Sequence, residues 1–325
     1  MQINELGGEF ALIKKLTNII PSQSKDVLVG IGDDAAVIKS PNNKNQFLLI
    51  TTDILVEGEH FNKSWSTPEQ IGIKSIECNV SDIAAMGGLP TFLVVSLVIP
   101  PSTNVEWCER LYQGFAYACN RYGIIIVGGD TTQGSVETIN ITLLGKVSDK
   151  NLCLRSNAKP GDILAVTGEL GASSAGLNLL KSNLPITPYL EKKHLTPECR
   201  LDAAKDLAPA VNAMIDISDG LASEVNHICD NSNVGAVINE KDIPVHQDVL
   251  NAGKTLNKQT REFVLNGGED FELLFSISKL DLEKLKQTGV KYYPIGEIIN
   301  PGEGRFLITK NNNKIPLLGG FKHFG

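Results

Sequence analysis

Aspartates stand where apolar, strand-like runs give way to small residues, and they do so repeatedly. VLVGIGDD ends at Asp33 and Asp34, FLLITTD at Asp53, IIIVGGD at Asp130, and NAMIDISD carries Asp216 and Asp219. Asp82 sits inside the apolar stretch IECNVSDIAAM, and Glu269 and Asp270 follow Asn266-Gly267-Gly268. Strand ends that shed bulk and present carboxylates are suited to a cation. In a chain of net charge −7, Mg2+ fits better than a basic protein. Carboxylate oxygens are hard ligands, and Mg2+ completes its shell with water and phosphate oxygens. Each acid also has a plainer use: Asp33, Asp34 and Asp219 can cap helices, and Asp53 and Asp130 can form turns. Asp82 resists this reading. A carboxylate in mid-helix among Ile76, Val80, Ile83 and Met86, with no Lys or Arg within one turn, needs a partner, and a metal ion would serve. Converging carboxylates would repel or protonate, whereas divalent ions remove the repulsion and create sites for phosphate oxygens.

The chain has no GxxxxGK[ST] loop and no protein-kinase set of Gly-rich loop, HRD and DFG. The glycines of GGDTTQG (128–134) can let backbone N–H groups approach a phosphate, or can simply turn the chain. No nucleophile–base pattern stands out: GxSxG and HExxH are absent and the five histidines are isolated. His60, in EGEHF, follows Asp53 closely enough to reach its site, and reads equally well as a surface histidine. Arg155, in CLRSN, suits a phosphate or a surface acid.

The elements that must position these residues alternate between strands and helices. EFALIKKLTNII (9–20) has helical apolar spacing and stops at Pro21. Strands are expected at 27–31, 36–39 and 47–52. Thr67-Pro68-Glu69-Gln70 opens a helix that runs through Ile83 and ends at Gly87-Gly88, with Thr67 as cap and Gln70 reaching back. A strand at 93–99, an amphipathic helix at 105–122, and strands at 124–127 and 139–147 complete the first half. SDKNLCLRSNAKPGD is polar with a Pro-Gly turn, which places a domain boundary there, giving 1–148 and 149–325. The second half starts with a strand at 163–167, a helix at 177–180 after GELGASSAG, and a helix from Thr196-Pro197-Glu198 to about Leu207. This alternation indicates α/β plus α+β architecture in two domains without a convincing repeat.

The totals narrow the class. At 325 residues, 42% hydrophobic and 21% charged, the chain is of ordinary globular composition and long enough for two cores. MQINELGGEF lacks the basic and apolar regions of a signal peptide, and the apolar run 92–99 is too short to span a bilayer. An acidic pI near 5.4 and the lack of a Lys/Arg cluster argue against nucleic acid. Six scattered cysteines without a CxxC pair read as reduced thiols in a cytoplasmic protein.

Taken in order, these motifs carry a resemblance. GEFALI at 8–13, GIGDDAAV at 30–37, TTD at 51–53, HF at 60–61, NVSDIAAMGG at 79–88 and GGDTT at 128–132 are followed by LRSNAKPGD at 154–162, DISDGL at 216–221, GGEDFELLF at 267–275 and a terminal GGFKHFG. With them the chain resembles the thiamine-monophosphate kinase family, of the ATP-binding superfamily that includes aminoimidazole ribonucleotide synthetase. The resemblance implies an N-terminal domain whose sheet pairs with a second subunit in a homodimer. ATP would lie between the domains and the dimer interface. It implies several Mg2+ ions on Asp34, Thr51, Thr52, Asp53, Asp82, Asp130, Asp216 and Asp219. Tyr112, Gly129, Asp130, Arg155 and Ser218 would touch ATP, and His60, Glu269 and Phe321 would touch thiamine monophosphate. Phe321 stands where the family often has Tyr, which leaves a ring to stack and removes a hydroxyl. The implied reaction is transfer of the ATP γ-phosphoryl group to that phosphate monoester. Selenophosphate synthetase chemistry lacks its residue, because the first cysteine is Cys78, and the hydrogenase-maturation relative ends in a Cys where this chain ends HFG. An aminoimidazole ribonucleotide synthetase-like enzyme and a non-catalytic metal-nucleotide sensor are the rival readings.

Overall fold

The computed structural model describes residues 9–19, 24–41 and 43–320. They begin with helix α1 (Glu9–Thr17), shorter than the expected 9–20; Ile20 and Pro21 lie outside the described residues. Strands β1 (Val27–Val29), β2 (Ala36–Lys39) and β3 (Gln46–Val56) follow, then helix α2 (Pro68–Ala85), β4 (Leu89–Ile99), α3 (Val105–Tyr122), β5 (Ile125–Gln133) and β6 (Thr138–Ser148). These strands form one sheet in the order β1-β2-β3-β6-β4-β5. Only β4 and β5 pair in parallel, with α3 as their crossover.

The start of α2 follows its sequence signal. Thr67 accepts a hydrogen bond from the Gln70 N–H, the Gln70 side chain accepts one from the Thr67 N–H at 2.9 Å, and Pro68 takes the first helical position. Ile76, Val80 and Ile83 of α2 share one core cluster with Leu49, Leu93, Ile141 and Leu143 of the sheet. That cluster continues into the second half through Leu201, Leu207, Met214 and Phe275. The helix therefore has protein on nearly every side, and its polar residues Lys74, Ser75, Glu77, Asn79 and Ser81 are buried as well.

The second half contains β7 (Ile163–Val166), α4 (Ala172–Lys181), α5 (Pro188–Leu195), α6 (Leu201–Leu207), β8 (Ala213–Asp216), α7 (Leu221–Ser232), β9 (Gly235–Asn239), α8 (Gln247–Leu256), α9 (Thr260–Asn266), β10 (Leu273–Ile277), α10 (Lys279–Leu285), β11 (Tyr293–Ile299), β12 (Arg305–Ile308) and β13 (Lys314–Pro316). Its sheet runs β13-β12-β9-β11-β7-β10-β8, which leaves β8 at the edge nearest α2. The helix expected from Thr196 begins only at Leu201. Thr196 instead closes α5, whose start is signalled by Thr187-Pro188 and capped by the Thr187 hydroxyl.

Register decides which side chains meet. Along the first sheet Asp53 stands opposite Ile141, which stands opposite Val95, which pairs with Gly129. Paired residues share a face. Ile141 and Val95 are buried, so Asp53 lies on the face that α2 covers. The next row, Ile54, Asn140, Ser96 and Asp130, lies on the opposite face, where Ile54 is 51% exposed.

Candidate active site

Three carboxylates from distant segments converge. Asp34 comes from the β1–β2 connection, Asp82 from the last turn of α2 and Asp216 from the end of β8. One oxygen from each lies within 4.8 Å of the others. The Thr51 hydroxyl, on β3, donates to Asp82 Oδ2, and the Ser81 hydroxyl donates to Asp216 Oδ2 at 2.6 Å. Asp34 Oδ2 and Asp216 Oδ1 are buried and have no hydrogen-bond partner. Orphaned buried carboxylate oxygens are costly, and a hard cation is the group that satisfies them.

The electrostatics show the strain of this convergence. Burial first, and then Asp34, pushes the Asp216 carboxyl up to about 8. Asp82 is raised well above the carboxylate range by burial, then by Asp53, Asp216 and Asp34. Asp53, reached from β3, is raised to about 6 by burial and by Asp219. Asp33 is raised to about 7 by burial and then Asp34. Arg155 offsets part of this, with Nη2 2.5 Å from Asp34 Oδ1 and its backbone N–H on Asp33 Oδ2 at 3.2 Å. The guanidinium thus meets a buried acid pair, where the sequence suggested a phosphate or a surface acid.

Asp82 and Asp216 line a cleft of about 550 Å3 between the two halves. Asp53, Ser218 and Asp219 line it too, as do His60, Phe61, Trp65, His194, Glu269 and Phe271. Glu269 adopts a left-handed backbone conformation (φ 65°), and its N–H donates to the Ser218 carbonyl at 2.8 Å. Gly268 before it is required by close approach, since a Cβ there would lie 2.1 Å from that same carbonyl oxygen. Burial works to raise the Glu269 carboxyl, but the Lys74 ammonium, the foremost lowering influence, outweighs it and the carboxyl is held low. His194, 3.5 Å from Glu269, is pushed down to about 3 by burial and then by Lys74, and is neutral. The His60 ring accepts from the Val56 N–H through Nδ1 at 3.2 Å.

Other expected site residues stand apart within the single chain. The Thr52 hydroxyl donates to the Ile141 carbonyl and faces Thr142 at 3.1 Å on the sheet's outer side. Asp130 is exposed on β5, on the face away from Asp53. Gly129 is explained by packing: a Cβ would lie 2.0 Å from the Val95 carbonyl oxygen. Tyr112 is 43% exposed on α3, edge-on to Phe115 at 5.0 Å. Phe321 lies outside the described residues. Sequence reasoning missed Lys74, Ser81 and Glu224. Glu224 is buried and accepts from the Asp219 N–H at 2.9 Å. A helical count back from Asp82 would have put Cys78 and Lys74 on its face.

The family models that match the chain are AIR synthase related protein, N-terminal domain, over residues 32–147, and AIR synthase related protein, C-terminal domain, over residues 159–308. Thiamine-monophosphate kinase of Buchnera aphidicola subsp. Schizaphis graminum is 41% identical, covering 97% of this chain and 98% of that protein. The thiamine-monophosphate kinase of Bacillus subtilis is 38% identical, over 89% and 90%. Among solved structures, AaThiL complexed with AMPPCP and TMP is similar with a TM-score of 0.87 at 35% identity, covering 99% of each chain. Thiamine monophosphate kinase from Aquifex aeolicus gives 0.82 at 32% identity, over 97% and 100%.

Proposed function

The chain belongs to the AIR synthase related proteins and, within them, to the thiamine-monophosphate kinase family, and on that premise we propose that it transfers the ATP γ-phosphoryl group directly to thiamine monophosphate, forming thiamine diphosphate. The observation that carries the reading is the meeting of Asp34, Asp82 and Asp216 within 4.8 Å, with two buried oxygens left without partners. This donor set fits Mg2+. Asp34, Asp82 and Asp216 would hold it, with Asp53, Asp219 and the Thr51 hydroxyl as further ligands; Thr52, on the sheet's outer face, could join only from the side that Asp130 occupies. Magnesium bound there would supply charge neutralisation where two polyanions meet.

The chain's own residues do the rest by binding and orienting. Arg155 balances Asp33 and Asp34 at the nucleotide end, where Ser218, Gly129 and Tyr112 are the other ATP contacts of the reading. His60 and Glu269 receive the organic end of the acceptor, with Phe321. An acceptor phosphate is already anionic near neutral pH, so no strong base is needed, which accords with a cleft whose histidine His194 stays neutral. Direct transfer inverts configuration at a chiral γ-phosphorus; retention would overturn it.

Asp130 enters this reading from a second subunit. It lies on a sheet face that also exposes Ile54, Phe92 and Ile125, at 51%, 45% and 58%. Pairing of that face in a homodimer would cover it and bring Asp130 to the partner's nucleotide. The division of labour falls at residues 148/149, with a dimerising, metal-holding first domain and a second domain that closes the substrate site. A cytoplasmic setting suits the six free cysteines. The test is product identification after incubating ATP and Mg2+ with thiamine and with thiamine monophosphate separately. Thiamine diphosphate from the monophosphate alone is expected; ADP release that ignores the acceptor refutes the reading.

A further inference from the structure

Lys74 lies on the same face of α2 as Cys78 and Asp82, at intervals of four residues. Eight residues of helix place it about 12 Å from Asp82 along the axis. Asp82 belongs to the acid cluster, so α2 fixes the distance between that cluster and whatever Lys74 organises. Lys74 is only 3% exposed, which is rare for lysine, and its ammonium is fully engaged. It donates to Glu269 at 2.8 Å, across the boundary between the two halves, and to the His60 carbonyl at 3.1 Å. Both partners line the cleft, and Glu269 holds a backbone conformation that side chains rarely adopt.

Resting on the kinase reading above, we propose that Lys74 is the positioning residue of the acceptor subsite, fixing Glu269 and the His60 turn so that they bind the organic part of thiamine monophosphate. The ammonium cancels the desolvation cost of an ionised Glu269 and keeps the carboxylate in one place. Lys74 reaches both Glu269 oxygens, at 2.7 and 2.8 Å, so the carboxylate and the His60 turn are set at a constant distance from the acids. Without Lys74 the half-buried carboxylate loses the cation that holds it and is free to move. The nucleotide end, held by Arg155 and the aspartates, loses nothing directly. Lys74 therefore acts on one substrate and through another residue.

The experiment is steady-state kinetics and thermal melting of K74M, E269Q and the double variant K74M/E269Q beside the unaltered chain. The expected result for K74M is a rise in KM for thiamine monophosphate of roughly tenfold or more, the size of a lost charge-assisted hydrogen bond, with KM for ATP within about twofold. The double variant removes both charges, so it folds even where K74M is unstable. Its KM should exceed that of E269Q alone by much less than the factor K74M produces by itself, because Lys74 acts mainly through Glu269. An unshifted KM in K74M, equal losses for both substrates, or additive losses in the double variant would each overturn the assignment. Absence of acceptor-dependent turnover in the unaltered chain would instead sink the proposed reaction.

Discussion

Asp216→Asn separates what the acid cluster does for chemistry from what it does to stability. Asp216 is 1% exposed, its Oδ1 has no partner, and its carboxyl is pushed from 3.8 to about 8, by burial and then by Asp34. At pH 7 the metal-free fold must keep that carboxyl protonated while the unfolded chain ionises it. Each pH unit of displacement corresponds to about 1.4 kcal/mol, so the cost at pH 7 reaches about 4 kcal/mol. A neutral amide carries no such cost; with the burial of its NH2 donors set against that gain, the substitution recovers about 2 kcal/mol, or roughly 4 °C in melting temperature. The asparagine amide oxygen can still accept from Ser81. The sign follows from a folded pKa above the unfolded one. This contribution to stability is whole below 3.8 and is lost as pH rises through about 8, so the variant's advantage grows over that window. Differential scanning fluorimetry in EDTA across that range, repeated with Mg2+, measures it. Turnover should be nearly abolished, and the Mg2+-induced rise in melting temperature should shrink. A variant that melts below the parent in EDTA at pH 7, or gains as much from Mg2+, refutes the reasoning.

Mixing tests whether the site is shared between subunits. Asp53→Asn and Asp130→Asn should each be nearly inactive, yet a reassembled equimolar mixture should recover about a quarter of wild-type turnover, because one site in each mixed dimer escapes both changes. No recovery places both acids in one subunit's site. Gly129→Ala should weaken the β4–β5 pairing, since the new Cβ would sit 2.0 Å from the Val95 carbonyl oxygen. A loss of about 2 kcal/mol or more by chemical denaturation is expected, and an unchanged midpoint would show that the strands are not so close.

Much of the scaffold was legible because its signals are local. Helix α3 spans Val105–Tyr122 as its periodicity predicts, capped by Asn104 and ended by Gly123 in a left-handed conformation (φ 70°). The capping box at Thr67 is of the same kind. Strand lengths were underestimated: β3 runs on to Val56 and β5 on to Gln133, so Asp53 and Asp130 lie within strands and not at their ends. The face that Asp130 occupies could not be read, because it depends on register through β6 and β4 and on the irregularity beside Val94. Asp82 was recognisable as a buried acid in need of a partner, whereas the Thr51 hydroxyl that meets it comes from another element. Helical spacing puts Lys74 on the face of Asp82, but it does not give the partner. Its partner Glu269 is 195 residues away in sequence, and only the packing of two domains joins them.

The central claim is that folding gathers Asp34, Asp82 and Asp216 into a cage for divalent ions beside the transferring phosphate. Anomalous diffraction from crystals grown with Mn2+ and a non-hydrolysable ATP analogue tests it most directly. The account predicts anomalous peaks within ligand distance of carboxylate oxygens from all three residues. Full nucleotide occupancy with no peak among those three carboxylates would contradict it.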